Sequence, residues 1–461
     1  MSNGHFTFND KTVAFSVGQS LAAALIEAGI VAFRHTPKGE DRGLFCGMGV
    51  CQDCLLTVDG VPNLRACMTQ AANGQNVKQQ VAFPVLGKVP ISPTAPTAYK
   101  LEPDVAIIGG GAGGLSAAIA ARASGASVVV LDERKVGGGQ YYKQAVGHYP
   151  LDDQQHEGEA LLSLAEESGA EIIGSVEIWG AFDGPLFLAE CNGSAYIIQP
   201  KTAIISTGAY ERPVMVPGWT LPGVMTTGAA QTLWRSYRTL PGQRVAVCGS
   251  GPLNAQLALE LAKGGAEVPI LIDSAPPPWR APIIAFKAAV ADPGLVLKGL
   301  TMLRDLKQLG VALHYRTKLQ SIERNVDQLC VKFLSDSGQI TKTDVDVLCM
   351  NAGFEPQNEI LRLLGADMSF EASVGHLRCR RTQDMETSVP NVYAVGDCAG
   401  LGGAPAARIE GTIAGKAAAV RVGLGDAFDL FAERRQLTRH RRFQANLWKL
   451  FDTTPTPIDG A

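Results

Sequence analysis

The sequence predicts an α/β protein: two dinucleotide-binding folds of the Rossmann type, preceded by a small strand-rich module. Three observations predict it. From Asp104 onward, apolar strand-like runs alternate with alanine-rich helical stretches, the pattern of parallel sheets covered by helices. Two of these units open with glycine-rich turns, at Gly109 and Gly249. Ahead of them, residues 1 to about 80 mix short alternating segments (HFTFND, KTVAFSV) with one helix, QSLAAALIEAG, that ends at a glycine. Pro84, Pro90, Pro93, Pro96 and Pro103 crowd the stretch between, a density that favours an extended connector. The expected divisions are 1–82 for the N-terminal module, 83–103 for the connector, 104–215 and 346–425 for the two parts of the first dinucleotide domain, 216–345 for the second, and 426–461 for a C-terminal tail or docking segment.

A chain of 461 residues is too long for one simple core, so several domains are expected. Its 41 basic and 44 acidic residues give a formal net charge of −3, with no electrostatic reason to expect nucleic acid or an anionic membrane as partner. The opening MSNGHFTFND lacks the basic start and apolar core of a signal peptide, and no apolar run approaches the roughly 20 residues that span a bilayer. A cytoplasmic protein that is not integral to a membrane is the expectation. Ten cysteines in that compartment argue against a disulfide framework.

Four of those cysteines lie close together. Cys46, Cys51, Cys54 and Cys67 have the spacing C-x4-C-x2-C-x12-C, with Gly47 and Gly49 in the first gap. This is the plant-type [2Fe–2S] loop, in which three thiolates on one turning segment and a fourth from a later one hold two irons. The glycines let the backbone curl and aim amides at the sulfurs. A structural zinc site or four unligated thiols are the alternatives, but zinc usually takes two separated pairs. The module thus reads as a β-grasp, ferredoxin-like domain.

In DVAIIGGGAGGLSAAIAARASGASVVVLDER, Gly109, Gly111 and Gly114 form G-x-G-x-x-G between an apolar strand and a helix, and Asp132 ends the next strand. The glycines permit the tight turn, the approach of a pyrophosphate to the helix N-terminus and close helix–strand packing, while the aspartate can accept from ribose hydroxyls. The motif alone does not separate FAD from NAD. Further on, NVYAVGDCAGLGG places Asp397 after an apolar strand and before a small-residue helix, and IISTGAYERP contains Thr207 and Gly208. These segments resemble the distal FAD motif and the T-G crossover of the pyridine nucleotide–disulfide reductase superfamily, which implies FAD in the first fold. The implied contacts are Gly109, Gly111, Ala112, Gly113, Gly114, Asp132, Glu133, Gly138, Gln140, Thr207, Gly208, Gly396 and Asp397.

The second fold, RVAVCGSGPLNAQLALELAKGGAEVPILIDS, keeps Gly249, Gly251 and a strand-ending Asp273, but Asn254 stands at the third glycine position. Asp273 suits a ribose and disfavours a 2′-phosphate; Asn254 leaves open a domain kept as scaffold, and NAD is left open with it. The stretch VGGGQYYKQAV has no cysteine, and Cys248, Cys330 and Cys349 form no C-x-x-C, so thiol chemistry at the flavin is not expected. Cys398 reads as a buried, unreactive thiol. His35, His148 and His156 form no ligand set by spacing.

GGGQYYK (Gly137 to Lys143), RPVMVPGWTLPGVMTTGAAQTL from Arg212 and NAGFEPQNE from Asn351 resemble the alpha subunits of heteromeric opine, hydroxyproline and sarcosine dehydrogenases or oxidases, and a subunit of hydrogen cyanide synthase. That similarity covers residues 100 to about 455, while 1 to about 80 is similar to the small [2Fe–2S] subunit or module of such complexes. Many of those relatives carry a second cysteine-rich segment; no cysteine follows Cys398 here. The resemblance implies a relay role: a beta-type flavoprotein partner oxidises the amine, FMN is sometimes held between subunits, and electrons leave through the cluster to an external acceptor. The competing reading is a stand-alone NAD(P)H-dependent reductase with FAD and [2Fe–2S], and a third is an assembly scaffold. RRQLTRHRRF near the end reads as a solvated helix face or a docking surface.

Overall fold

The computed structural model describes residues 3–85, 98–425 and 429–451. In the N-terminal module, strands Lys11–Ser16, Asn3–Phe8, Asn76–Gln79, Leu55–Val58 and Val61–Arg65 form one sheet in that order. Asn9 and Asp10, both at positive φ, make the first hairpin turn. Helix Leu21–Glu27 is capped by Ser20, whose hydroxyl accepts from the Ala23 amide at 3.2 Å. It buries Leu21, Ala24 and Leu25 against Phe6, Phe8, Phe33 and Leu56. The same apolar cluster continues through Met225, Ala229, Ala230 and Leu233. The module is therefore packed into the body of the protein by shared burial rather than tethered to it.

Strands Glu171–Ile173, Val128–Leu131, Val105–Ile108, Thr202–Ile205 and Val392–Ala394 make the parallel sheet of the first dinucleotide domain. Val105–Ile108 and Val128–Leu131 are buried at every residue, as strands covered on both faces must be. The second domain repeats the plan with Val224–Thr226, Val347–Asn351, Val245–Gly249, Ile270–Asp273 and Ala312–Tyr315.

Two expected boundaries move. Val347–Asn351 lies between Val224–Thr226 and Val245–Gly249, so the second domain runs through Asn351 instead of ending at residue 345. Tyr99–Leu101 pairs in parallel with Ser194–Ile198, making the end of the expected connector an edge strand of the first domain's smaller sheet. Pro90, Pro93 and Pro96 lie outside the described residues. Within the expected C-terminal tail or docking segment, helix Phe431–Leu447 buries Leu437 and Phe443 and packs on both Gly403–Arg421 and Pro282–Ala291.

One buried ion cluster pins that last helix. Glu410 takes Arg381 on both oxygens, at 2.8 and 3.0 Å, and Arg441 at 2.8 Å, and its Oε2 also accepts from the Gly396 amide at 2.9 Å. Arg381 and Glu410 are 7% and 3% exposed, so losing one strands the other in low dielectric. Glu410→Ala is expected to cost about 3–5 kcal/mol of stability in urea denaturation. Arg441→Ala, which removes the half-exposed partner and leaves Arg381–Glu410 intact, should cost about 1 kcal/mol or less.

Candidate functional site

The first glycine turn separates two jobs. A Cβ on Gly109, at φ +106°, would stand 2.3 Å from the Ser206 carbonyl oxygen, and one on Gly114 would stand 1.9 Å from that of Gly109. These two glycines make the turn and the close helix–strand contact possible. A Cβ on Gly111 would meet only Gly139 Cα, at 3.8 Å, and one on Gly208, at φ +83°, would have nothing within 4 Å. No packing demand makes those positions glycine; both face open space. The space is a cavity of about 2180 Å³. Gly109, Gly111, Ala112, Gly113, Asp132, Glu133, Gly138, Gln140, Thr207, Gly208, Gly251, Asp273, Gly396 and Asp397 all line it. Gly114 and Gly249 do not reach it and serve packing, the latter against the Asn351 carbonyl oxygen at 1.9 Å from its would-be Cβ.

The two aspartates hold the cradle in shape. Asp132 accepts from the Gly110 amide at 2.6 Å and the Arg134 amide at 2.7 Å, tying the glycine turn to the end of the second strand. Asp397 Oδ1 accepts from the Gly402 and Gly403 amides, both at 2.7 Å, and fixes the start of helix Gly403–Arg421. Burial pushes both carboxyls above their ordinary range, with the amide hydrogen bonds opposing it. Thr207 donates to the Gln357 carbonyl at 2.6 Å. Helix Ala112–Ala123 starts at Gly111 with no side-chain cap, leaving its first amides to the cavity. An extended anion with ribose hydroxyls fits this lining, as a dinucleotide cofactor requires.

At the second turn, Asn254 replaces close packing with hydrogen bonds. Its Nδ2 donates to the Asn351 carbonyl at 2.9 Å and its Oδ1 accepts from the Thr227 hydroxyl at 2.7 Å. Asn351 Nδ2 then donates to Glu211 at 2.7 Å, and Glu211 Oε1 accepts from the Thr226 hydroxyl at 2.9 Å and the Gly228 amide at 2.7 Å. Across the cavity wall, buried Lys143 donates to the Gln140 carbonyl at 2.8 Å and to Gln231 at 3.2 Å. Sequence reasoning missed this seam; its only trace was the unexpected Asn254 and a lysine inside GGGQYYK.

The four expected ligand cysteines come together. Gly47 and Gly49, at φ +63° and +83°, turn the loop. The Met48 amide points at Cys46 Sγ (3.4 Å) and the Asp53 amide at Cys51 Sγ (3.5 Å). The thiols lie in two pairs, Cys46 with Cys51 and Cys54 with Cys67. A hydrogen bond from Cys51 is the main influence bringing Cys46 down to about 6. Among the described residues, no three His, Cys, Asp or Glu side chains converge on a single ion. Two pairs of thiols fit two irons with two thiolates each. The loop is docked on the cavity wall: its Phe45 carbonyl accepts from the Thr226 amide at 2.9 Å, and a Cβ on Gly47 would lie 2.8 Å from Ala229 Cα.

Burial, reinforced by Arg134 and opposed by Glu211, lowers Lys143 from its ordinary 10.5 to about 7. Between those values the unfolded chain holds a proton that the folded chain lacks, so this group's contribution rises with pH, by up to about 1.4 kcal/mol per unit. The stability of the protein minus that of Lys143→Met should therefore climb between about pH 7 and pH 9 in urea titrations. A difference that stays flat over that range would show that Lys143 does not titrate there.

Residues 103–413 match the family model "pyridine nucleotide-disulphide oxidoreductase", and residues 4–82 match a "2Fe-2S iron-sulfur cluster binding domain". The A subunit of opine oxidase from Rhizobium meliloti is 30% identical over 305 residues, 64% of this chain and 65% of that one. The chain thus spans about two thirds of that relative's length. Hydrogen cyanide synthase subunit HcnA of Pseudomonas aeruginosa is 36% identical over 72 residues, 16% of this chain and 69% of that one. The crystal structure of L-proline dehydrogenase from P. horikoshii shares the fold, with a TM-score of 0.68 and 19% identity over 99% of this chain and 80% of that one. The chain belongs to the pyridine nucleotide-disulphide oxidoreductase family, as an FAD-dependent oxidoreductase that also carries a [2Fe–2S] domain.

Proposed function

We propose that this chain is the electron-transfer subunit of a heteromeric amine or amino-acid dehydrogenase of the opine, hydroxyproline, sarcosine or glycine type. It takes electrons from a beta-type flavoprotein partner, in which the amine is oxidised, and delivers them through its cluster to an external acceptor. One observation carries the reading: the cysteine loop is docked on the wall of the dinucleotide cavity, and Met48 of that loop lines it. The names of two relatives, a subunit of opine oxidase and a subunit of hydrogen cyanide synthase, support the heteromeric setting. No described helix is long and apolar enough to cross a membrane.

In this reading FAD supplies the change from two-electron to one-electron transfer. The chain's residues bind and orient it. Gly111 and the amides at the start of helix Ala112–Ala123 take the pyrophosphate, Asp132 and Glu133 face the ribose, and Asp397 faces the ribityl chain while holding the helix Gly403–Arg421 in place. Lys143, which donates to the Gln140 carbonyl, and Glu211 are buried groups able to hold a proton at the cavity wall. Cys46, Cys51, Cys54 and Cys67 are the cluster ligands. A valine at Gly111 should fill the open space of the turn and yield folded protein without flavin; full FAD occupancy in Gly111→Val would count decisively against this placement.

A stand-alone NADH-dependent reductase is kept as the second reading because Gly251 and Asp273 reach the same cavity. Anaerobic mixing of the purified single chain with NADH, and dye-reduction assays with glycine, sarcosine, hydroxyproline and opines, separate the two. The relay reading expects no rapid flavin bleaching by NADH and no amine turnover until a co-expressed flavoprotein partner is present. Turnover of any of these amines at enzymatic rates by the single chain would overturn it.

A further inference from the structure

The dinucleotide cavity is not walled by the two dinucleotide domains alone. Met48 and Arg65 line it, and both belong to the ferredoxin-like module. Arg65, the last residue of strand Val61–Arg65, is gripped from two directions. Its Nη1 donates to the Gly49 carbonyl of the cysteine loop at 3.1 Å, and its Nη2 pairs with Glu177 of strand Val176–Phe182, another cavity-lining residue. From the opposite side, Arg134 of the first dinucleotide fold donates to the Gly47 carbonyl of the same loop at 3.4 Å. Glu133 stands among them, within electrostatic reach of Arg134, Arg65 and the Cys46 thiol. Both arginines thus hold a carbonyl of the cysteine loop while facing the cavity at the end of the second strand, where a fold of this type places an adenosine ribose.

We infer that Arg65 is an FAD-binding residue lent by the ferredoxin-like module, so that FAD binding and docking of the cluster loop strengthen one another. The inference rests on FAD lying in the first dinucleotide fold, as proposed above. A guanidinium offers five donors in a fixed plane, and the two grips on Arg65 use only part of them. The grips also fix the plane before the cofactor arrives, which lowers the ordering cost of any contact it makes. A ligand that touches a residue brought to the cavity by the docked module binds the docked state better, and by reciprocity the docked module, with its cluster loop, is retained better when that ligand is bound. Losing the cluster frees the loop, and with it the carbonyl of Gly49 that aims Arg65.

The test uses the full chain, stripped of flavin and titrated with FAD while flavin fluorescence is followed. Arg65→Gln is expected to retain iron and acid-labile sulfide but to bind FAD at least tenfold more weakly, and Cys54→Ser, which lacks the cluster, to be weakened to a similar extent. The reciprocal measurement needs no substitution: saturating FAD should slow the loss of iron from the unaltered protein to a chelator several-fold. If Arg65→Gln fails to hold its cluster, that chelator measurement decides. Equal FAD affinity in all three proteins, or a chelation rate indifferent to FAD, overturns the linkage. An unaltered protein that takes up no FAD at all would instead sink the placement of the cofactor on which the inference rests.

Discussion

The arrangement hangs on one residue at the start of helix Thr227–Tyr237. Thr226 caps that helix, its hydroxyl accepting from the Ala229 amide at 3.2 Å, and donates the same hydroxyl to Glu211 at 2.9 Å. Its amide meanwhile donates to the Phe45 carbonyl, beside the first cluster cysteine. Three parts of the chain therefore meet within one side chain's reach: the ferredoxin-like loop, the crossover between the two domains, and the second parallel sheet. Because the helix must approach the loop backbone to backbone, Gly47 opposite Ala229 has no room for a Cβ.

Around that point the interior is unusually ionic. Glu211 and Lys143 influence each other across the wall, and Arg235, fully buried, is shared between Asp152 at 2.7 Å and Glu260 at 2.7 Å. Buried charges of this kind seldom add net stability, since desolvation takes back what pairing gives. What they do impose is geometry: each charge has a low-energy position only where its partner stands. A seam of such pairs along a cavity sets the separation of its walls more narrowly than apolar contact would. The same reasoning applies to Arg381, Glu410 and Arg441, which hold the last helix over the cavity so that His440, Phe443 and Gln444 complete its lining.

The cysteine loop, the glycine turns and the AVGD segment thus become one site only through non-local contacts. Each is locally complete in part: the thiols pair within a short stretch, Gly114 packs against the Gly109 carbonyl of its own turn, and Asp397 binds amides a few residues ahead. Bringing them to a common cavity requires the two parallel sheets and the shared apolar cluster that runs from Phe6 to Leu233.

That difference marks what the sequence by itself determined. The fold class, the [2Fe–2S] loop and the two dinucleotide turns were legible because each depends on residue types at fixed short spacing, where backbone geometry leaves little choice. The arginine-rich stretch near the end was read as solvated or docking surface, because a charge run says nothing of the buried Glu410 that would take up Arg441. The domain change after Asn351 was invisible, since a fully buried parallel strand looks the same whichever sheet receives it. Asn254 counted against the second fold when judged by the glycine rule alone; only the tertiary structure supplied the Asn351 carbonyl and Thr227 hydroxyl that satisfy it. Arg65 and Met48 carry no motif, and their place in the cavity wall was decided by where the ferredoxin-like module docks, a matter of partners far apart in the chain.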